Sequence, residues 1–315
     1  MLVSENKFMS IELANIQTTS AAQRRLPRWT ALLAAAAVVA ATISGPAALE
    51  SPLSARAASN ASPTYQIKLR LDPAKVLDSN GKFTATSSSK LSISSESGYE
   101  LAQYIDDSAQ DLASEGWSMR IKRDNGAGDQ KLTYKKRFSI ANGGTAAKDI
   151  NATLDTANDS GFSSSDTNYD AQVNMSYTIS TLDFSNKKKA SADSLNDDQL
   201  PGGADSIDVV QSNLPGKLSK WRSNNWVSSV IDKSRIYGPV RQSNYSATIG
   251  GHAVDLQLTP MKSQNGSYSY LEVSADATKL GDATAIRSDV IKTLDGLGRL
   301  LHENAFKTDL VLANY

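Results

Sequence analysis

Cysteine is absent from all 315 residues. Disulfides, thiol catalysis, Cys-ligated zinc and iron–sulfur clusters are excluded with it. Histidine is almost absent: His252 and His302 are the two in the chain. Neither belongs to a Ser-His-Asp spacing or an H-E-x-x-H pair, and no phosphate-cradling Gly-rich loop appears, so neither is assigned a role. Net charge is lacking too, because 33 Lys and Arg balance 33 Asp and Glu. A nucleic-acid coat would be strongly basic. No nucleic-acid partner is expected, although a neutral total leaves room for a local basic site. A long hydrophobic run is also missing. The uncharged stretch 29–49 has an apolar heart, residues 31–43, shorter than the ~20 residues of a spanning helix.

That stretch has its own meaning. Arg24, Arg25 and Arg28 precede it, and small residues lead from it to Ala55-Arg56-Ala57. A basic region, a short apolar region and an A-x-A-like site form the layout of a secretory signal. Residues 1–57 are therefore expected to be an export signal and leader, making the protein secreted or extracytoplasmic. A membrane association is expected only if the leader is not cleaved. Without residues 1–57 the balance becomes 28 basic to 30 acidic. A 258-residue remainder is long enough to be held by its core, burying roughly 70–75% of its unfolded surface.

Residues 58–63 are small and polar and read as a tether, and 64–315 as a single domain. From Tyr65 the apolar period is two: Tyr65, Ile67, Leu69 and Leu71 alternate with Gln66, Lys68 and Arg70. Residues 99–105, 117–123, 130–138, 171–179, 235–237, 245–249, 253–258 and 268–275 read as strands in the same way, with a hairpin at Gly250-Gly251. Helices are expected over 107–114, closed by Gly116, over 219–233, and over 282–301 with Asp282 as N-cap. The polar stretches near 141–168 and 186–205 read as loop-like insertions. About eight strands with few helices point to an α+β fold, an antiparallel barrel or sandwich with peripheral helices.

Alternation makes the two strand faces chemically different. Lys68 and Arg70, Arg120 and Lys122, and Lys131, Lys135 and Arg137 lie opposite the apolar residues of their strands. In a half-buried strand such charges face solvent. The other arrangement is a wide barrel, apolar face outward beneath helices and charged face inward around a wet tunnel. The pattern alone leaves both open.

The stretch Tyr104-Ile-Asp-Asp107, Leu112, Gly116-Trp-Ser-Met-Arg-Ile-Lys-Arg123 and Lys131-Leu-Thr-Tyr-Lys135 resembles the central block of CYTH domains. Arg235-Ile-Tyr-Gly-Pro-Val-Arg241, Val254-Asp-Leu-Gln-Leu258, Tyr270-Leu-Glu-Val-Ser274 and Phe306-Lys307-Thr308 are similar to its second half, in order. These are the triphosphate tunnel metalloenzymes, including class IV adenylate cyclases and thiamine triphosphatases. The resemblance implies an eight-stranded antiparallel tunnel. It implies that Lys68, Arg70, Arg120, Lys122, Lys131, Lys135, Arg137, Arg235 and Arg241 grip a triphosphate, polyphosphate or other polyanion, and that Glu272 and Asp255 are the candidate ligands of Mg²⁺ or Mn²⁺. Guanidinium and ammonium groups neutralise phosphoryl oxygens, and a hard divalent cation takes carboxylate oxygens.

The sequence departs from the family where the first strand should read E-x-E-x-K, for here stands Gln66-Ile-Lys68-Leu-Arg70. The late E-x-E has become Glu272-Val-Ser274. Fewer carboxylates and one more cation imply weak or absent metal binding and stronger binding of a bare polyanion. The expected function is an exported polyanion-binding protein with weakened or lost hydrolysis. The alternatives are an active metal-dependent secreted triphosphatase or polyphosphatase, and a non-enzymatic, envelope-associated interaction protein.

Overall fold

Residues 65–71 form the strand their alternation predicts, β1 (Thr64–Leu71). The computed structural model describes residues 58–315 apart from 224, 264 and 265; the export signal and leader expected over 1–57 lie outside the described residues. The remaining strands are β2 (Gly98–Asp107), β3 (Trp117–Asp124), β4 (Ala127–Ser139), β5 (Asp170–Met175), β6 (Ser180–Ala190), β7 (Ser234–Ile249), β8 (His252–Ser263), β9 (Gly266–Ala277) and β10 (Leu300–Leu301). The helices are α1 (Pro73–Val76), α2 (Ala85–Leu91), α3 (Asp111–Ser114), α4 (Ala147–Asp159), α5 (Gly203–Ser212), α6 (Gly216–Ser219), α7 (Trp226–Ile231), α8 (Leu280–Gly296) and α9 (Lys307–Asn314). Among the described residues no helix is long and apolar enough to cross a membrane.

Among the described residues nine strands close a barrel in the order β1-β5-β6-β4-β3-β2-β7-β8-β9, with β9 returning to pair with β1. The fold is α+β, but the barrel is neither eight-stranded nor wholly antiparallel. β1 runs parallel to β5, Gln66 lying opposite Asn174, and β10 adds a short ladder beside Arg70 and Leu71. The extra strand is β6, which follows the stretch 171–179, whose alternation continues through the turn after β5. The Ser176 N–H donates to the Ile179 carbonyl at 2.9 Å, and the chain returns as β6. The expected insertion at 186–205 therefore begins inside a strand. The one expected at 141–168 contains α4, which buries Ile150, Thr153, Leu154 and Ala157; its polar composition hid a narrow apolar stripe.

The wall is apolar outside and polar inside. Ile67, Leu69, Trp117, Met119, Leu132, Tyr134, Val173, Leu182, Leu256 and Val273 form one buried cluster with helical residues Ile150, Val210, Leu218, Val230, Val290 and Leu294. Each fully buried aliphatic side chain contributes roughly 1.5–3 kcal/mol, so the hydrophobic core lies between barrel and helices. That arrangement releases the inner face for charge. Towards α9 the interior becomes apolar, where Ala102, Tyr104, Tyr237, Val240, Met261 and Tyr270 meet Val311 and Leu312. The β3–β4 turn and the Gly250-Gly251 turn lie at the opposite end, as the registers of the intervening strands require.

Several boundaries differ from the sequence pattern. Of the helix read over 219–233, α7 (Trp226–Ile231) forms, while α6 ends at Ser219, where that helix is expected to begin. α8 starts at Leu280 with Lys279 at its cap position, leaving Asp282 in its first turn. It stops at Gly296, and Leu300 and Leu301 enter β10 instead. The tether at 58–63 is pinned: Asn60 donates to Asp155 at 2.6 Å, and Asn158 donates to the Ala58 carbonyl at 2.8 Å. Gly116 does close α3. Its φ of +70° suits glycine, and a Cβ there would lie 2.7 Å from the Arg137 carbonyl oxygen. Gly116→Ala is expected to cost about 1–3 kcal/mol. An unchanged melting temperature would contradict this.

Candidate functional site

Inside the barrel is a cavity of ≈530 Å³. Alternation aims the polar residues of each strand into it, and six cations reach its surface: Lys68 from β1, Arg120 and Lys122 from β3, Lys135 and Arg137 from β4, and Lys307 from the start of α9. Three carboxylates, Glu100, Asp255 and Glu272, line it with them. A fourth, Asp183 of β6, is fully buried in the wall. Towards the β7–β8 turn the lining is neutral or acidic, with Gln66, Ser97, Asn244, Ser246 and exposed Asp255, whereas beside the β3–β4 turn it is basic, with Lys122.

Most of these charges hold one another. Asp183 accepts from Lys135 at 2.9 Å and from the Arg137 Nε at 3.1 Å. Burial favours its neutral acid, but Lys135 and Arg137 outweigh that and hold the carboxyl well below the usual range. Glu272 lies 3.4 Å from Lys68 and accepts from the Tyr270 hydroxyl at 2.9 Å. Burial opposes its ionisation as well, yet Lys68, Lys307 and that hydroxyl bring its pKa down to about 2. Glu100 pairs with Lys122; burial lowers the pKa of the lysine, with Arg120 acting in the same direction.

Two cations are less well matched. Lys307 rests on neutral amides, donating to Gln242 at 2.9 Å and to Gln257. Burial lowers its pKa to about 8, Lys68 and Arg120 adding to the effect and Glu272 opposing it. Arg120 has no ion-pair partner among the described residues, and its buried Nε has no hydrogen-bond partner there. A guanidinium in that position is free to take an anion in its planar fork.

No protein-family model matches the sequence, and no curated protein does. Solved structures with a similar trace include a candidate adenylyl cyclase from Hippeastrum described as having a dominant triphosphatase activity. It is 14% identical with a TM-score of 0.40, over 79% of this chain and 99% of that one. A candidate adenylate cyclase from Bacillus halodurans is 13% identical with a TM-score of 0.40, over 77% and 95%. One from Vibrio parahaemolyticus is 9% identical with a TM-score of 0.39, over 80% and 99%.

Of the nine basic residues singled out in the sequence, the structure brings five to the cavity. The other four lie elsewhere. Arg70 is paired with Glu303 at 2.5 Å and stacked over Tyr270 at 4.5 Å. Lys131 is paired with Asp124 at the barrel rim. Arg235 stacks on Tyr237 at 3.9 Å and donates to the Tyr315 carbonyl at 2.8 Å. Arg241 stacks on Tyr99 at 3.9 Å and pairs with Glu96 at 3.2 Å. An irregularity in the β2–β7 register between Ala102 and Tyr104 accompanies this placement, in which Gln242, not Arg241, lines the cavity. Asp106, matched to the family's central block, caps α3 by accepting from the N–H groups of Leu112 and Ala113 at 3.1 and 3.0 Å.

Sequence reasoning missed Glu100, Asp183 and Lys307 as site residues. Glu100 shares the face of Tyr104 and was open to the same alternation argument. Lys307 comes from a helix, where strand parity has nothing to say.

The candidate metal ligands do not suit Mg²⁺ or Mn²⁺. Glu272 and Asp255 both line the cavity, but Gln257 is the residue opposite Glu272, while Asp255 is opposite Ser274. Both oxygens of Glu272 are engaged, one by an ammonium. A hard cation needs several oxygen ligands, and among the described residues no three His, Asp or Glu side chains converge to supply them.

Proposed function

We propose that the barrel interior binds a triphosphate, polyphosphate or similar polyanion directly on its cations, with metal-dependent hydrolysis weakened or lost. We also propose that the chain is exported, on the layout of residues 1–57, and meets its ligand outside the cytoplasm. The observation that carries the binding reading is Arg120: an unpaired guanidinium in a cavity whose cations outnumber its carboxylates. The resemblance to CYTH domains points to the same ligand class. Lys68 supports the metal-free form, because its ammonium sits against Glu272 where a divalent ion would need that carboxylate.

The physical cost of the site favours the same reading. Like charges share a confined space, and burial weakens Lys122, Lys135 and Lys307 as bases. A bound polyanion relieves both penalties by charge-assisted hydrogen bonds. The test is a thermal-shift titration with tripolyphosphate, with and without Mg²⁺. At 100 times Kd the ligand stabilises the fold by about 2.7 kcal/mol, a rise of about 5–10 °C for a domain of this size. The rise is expected without Mg²⁺ and is expected to be largely lost in Arg120→Gln. A rise that requires Mg²⁺, accompanied by phosphate release, would favour the triphosphatase alternative. No rise at millimolar ligand would sink the binding reading.

A further inference from the structure

We propose that the ligand is a linear polyphosphate longer than a triphosphate, and that the part outside the cavity runs along a row of rim lysines; this rests on the cavity reading above. The row is set by strand register. Lys122 lies directly opposite Lys131, and Lys131 directly opposite Lys189, across β3, β4 and β6. One step deeper, Arg120 lies opposite Thr133, and Thr133 opposite Lys187. Alternation puts all of these on the inner face, so the row begins in the cavity at Lys122 and climbs to the exposed Lys189.

Like charges directly opposite one another destabilise a sheet, yet here two such pairs adjoin. Lys122 is compensated by Glu100 inside the cavity, but the compensation of the outer lysines is thin. Lys131 pairs with Asp124, and Lys187 pairs with Asp170 at 2.8 Å. Both pairs are exposed and so contribute little. No ion pair of Lys189 occurs among the described residues. With neighbouring strands about 4.8 Å apart, the three lysines span about 10 Å, extending the cations of the cavity outward as a track.

A phosphate chain suits this track better than a single-stranded nucleic acid, which needs aromatic faces for its bases. The aromatic residues lining the cavity are Tyr104, Tyr245 and Phe306. Tyr104 lies in the apolar cluster under α9. Tyr245 is held edge-on against Phe83 at 5.0 Å, and Phe306 lies beneath Arg137 at 5.8 Å.

The experiment measures the affinity of the full chain for tripolyphosphate, for polyphosphate of about fifteen phosphates, and for an oligothymidylate of matched charge. The long polyphosphate is expected to bind about tenfold tighter than tripolyphosphate, with a steeper salt dependence. The double variant Lys187→Gln/Lys189→Gln is expected to remove that gain while keeping the tripolyphosphate affinity and the ligand-free melting temperature. Equal affinity for both lengths overturns the track and leaves the cavity reading standing. A variant that weakens both lengths alike, or oligothymidylate bound as tightly as long polyphosphate, also overturns it. Tripolyphosphate that fails to bind the unaltered protein defeats the cavity reading itself.

Discussion

Replacing Asp183 by asparagine is expected to lower the stability of the domain by about 3–5 kcal/mol, the usual result of removing one partner from a buried charge cluster. The side chain is 1% exposed and holds Lys135 and Arg137 together. Asparagine keeps the shape and removes the charge, leaving two cations facing each other in the wall. At about 2–4 °C per kcal/mol the melting temperature should fall by about 10 °C. The sign with pH follows from the depressed pKa of Asp183. Its contribution is fully present above the unfolded value of ~3.9 and is lost as pH falls through the folded value, so the variant should lose its advantage over denaturation less steeply in acid. Tripolyphosphate should stabilise the variant more than the parent, because Lys135 and Arg137 no longer have an internal anion. A melting temperature within a degree or two of the parent's would show that the three charges are not coupled as the geometry requires.

The second large effect is on affinity. Lys307 has a pKa of about 8, against ~10.4 for an unperturbed lysine. Below pH 8 it is protonated in both folded and unfolded chains. Between about 8 and 10.4 the unfolded chain holds the proton and the folded one does not, so this group makes stability rise with pH in that window. Binding should do the opposite. A phosphate requires the ammonium form, and tripolyphosphate affinity should fall by up to about tenfold per pH unit above 8. Lys307→Arg keeps the charge at every accessible pH and should flatten the profile. The charged groups around Lys307 are Glu272, Lys68, Arg120 and Glu100. Should Lys307→Arg retain the full slope, Lys307 is not the group that titrates.

Much of this architecture is visible in single strands. Tyr65 to Leu71 alternates cleanly because one side meets helices and the other water and charge, and the same logic exposes Arg120, Lys122, Lys135 and Arg137. Alternation does not reveal which side faces the helices. Nor does it show where a strand stops when its pattern passes through a turn, as at Tyr177 and Ile179. α4 escaped notice because Ser, Asp and Asn dominate residues 141–168, although four well-spaced residues suffice to dock it. At the site, the family resemblance put Arg241 among the anion ligands but does not register the irregular pairing beside Ala102 that leaves Gln242 in the cavity, and parity placed Lys131 with the others without knowing that the strand had reached the rim. Asp183 lies between two segments that the pattern separated, so its partnership with Lys135 and Arg137 is a property of the closed sheet.

The closure itself carries a consequence in time. β1 pairs with β9, matching Arg70 to Glu272, and with β5, matching Gln66 to Asn174. Its partners therefore lie about a hundred and about two hundred positions further along the chain. As a nascent polypeptide lengthens, this segment waits for both of them with its backbone groups unsatisfied, a template for pairing with another chain. Contacts so distant in sequence also slow the search for the native pairing. The ring cannot shut until residues 266–277 have joined it.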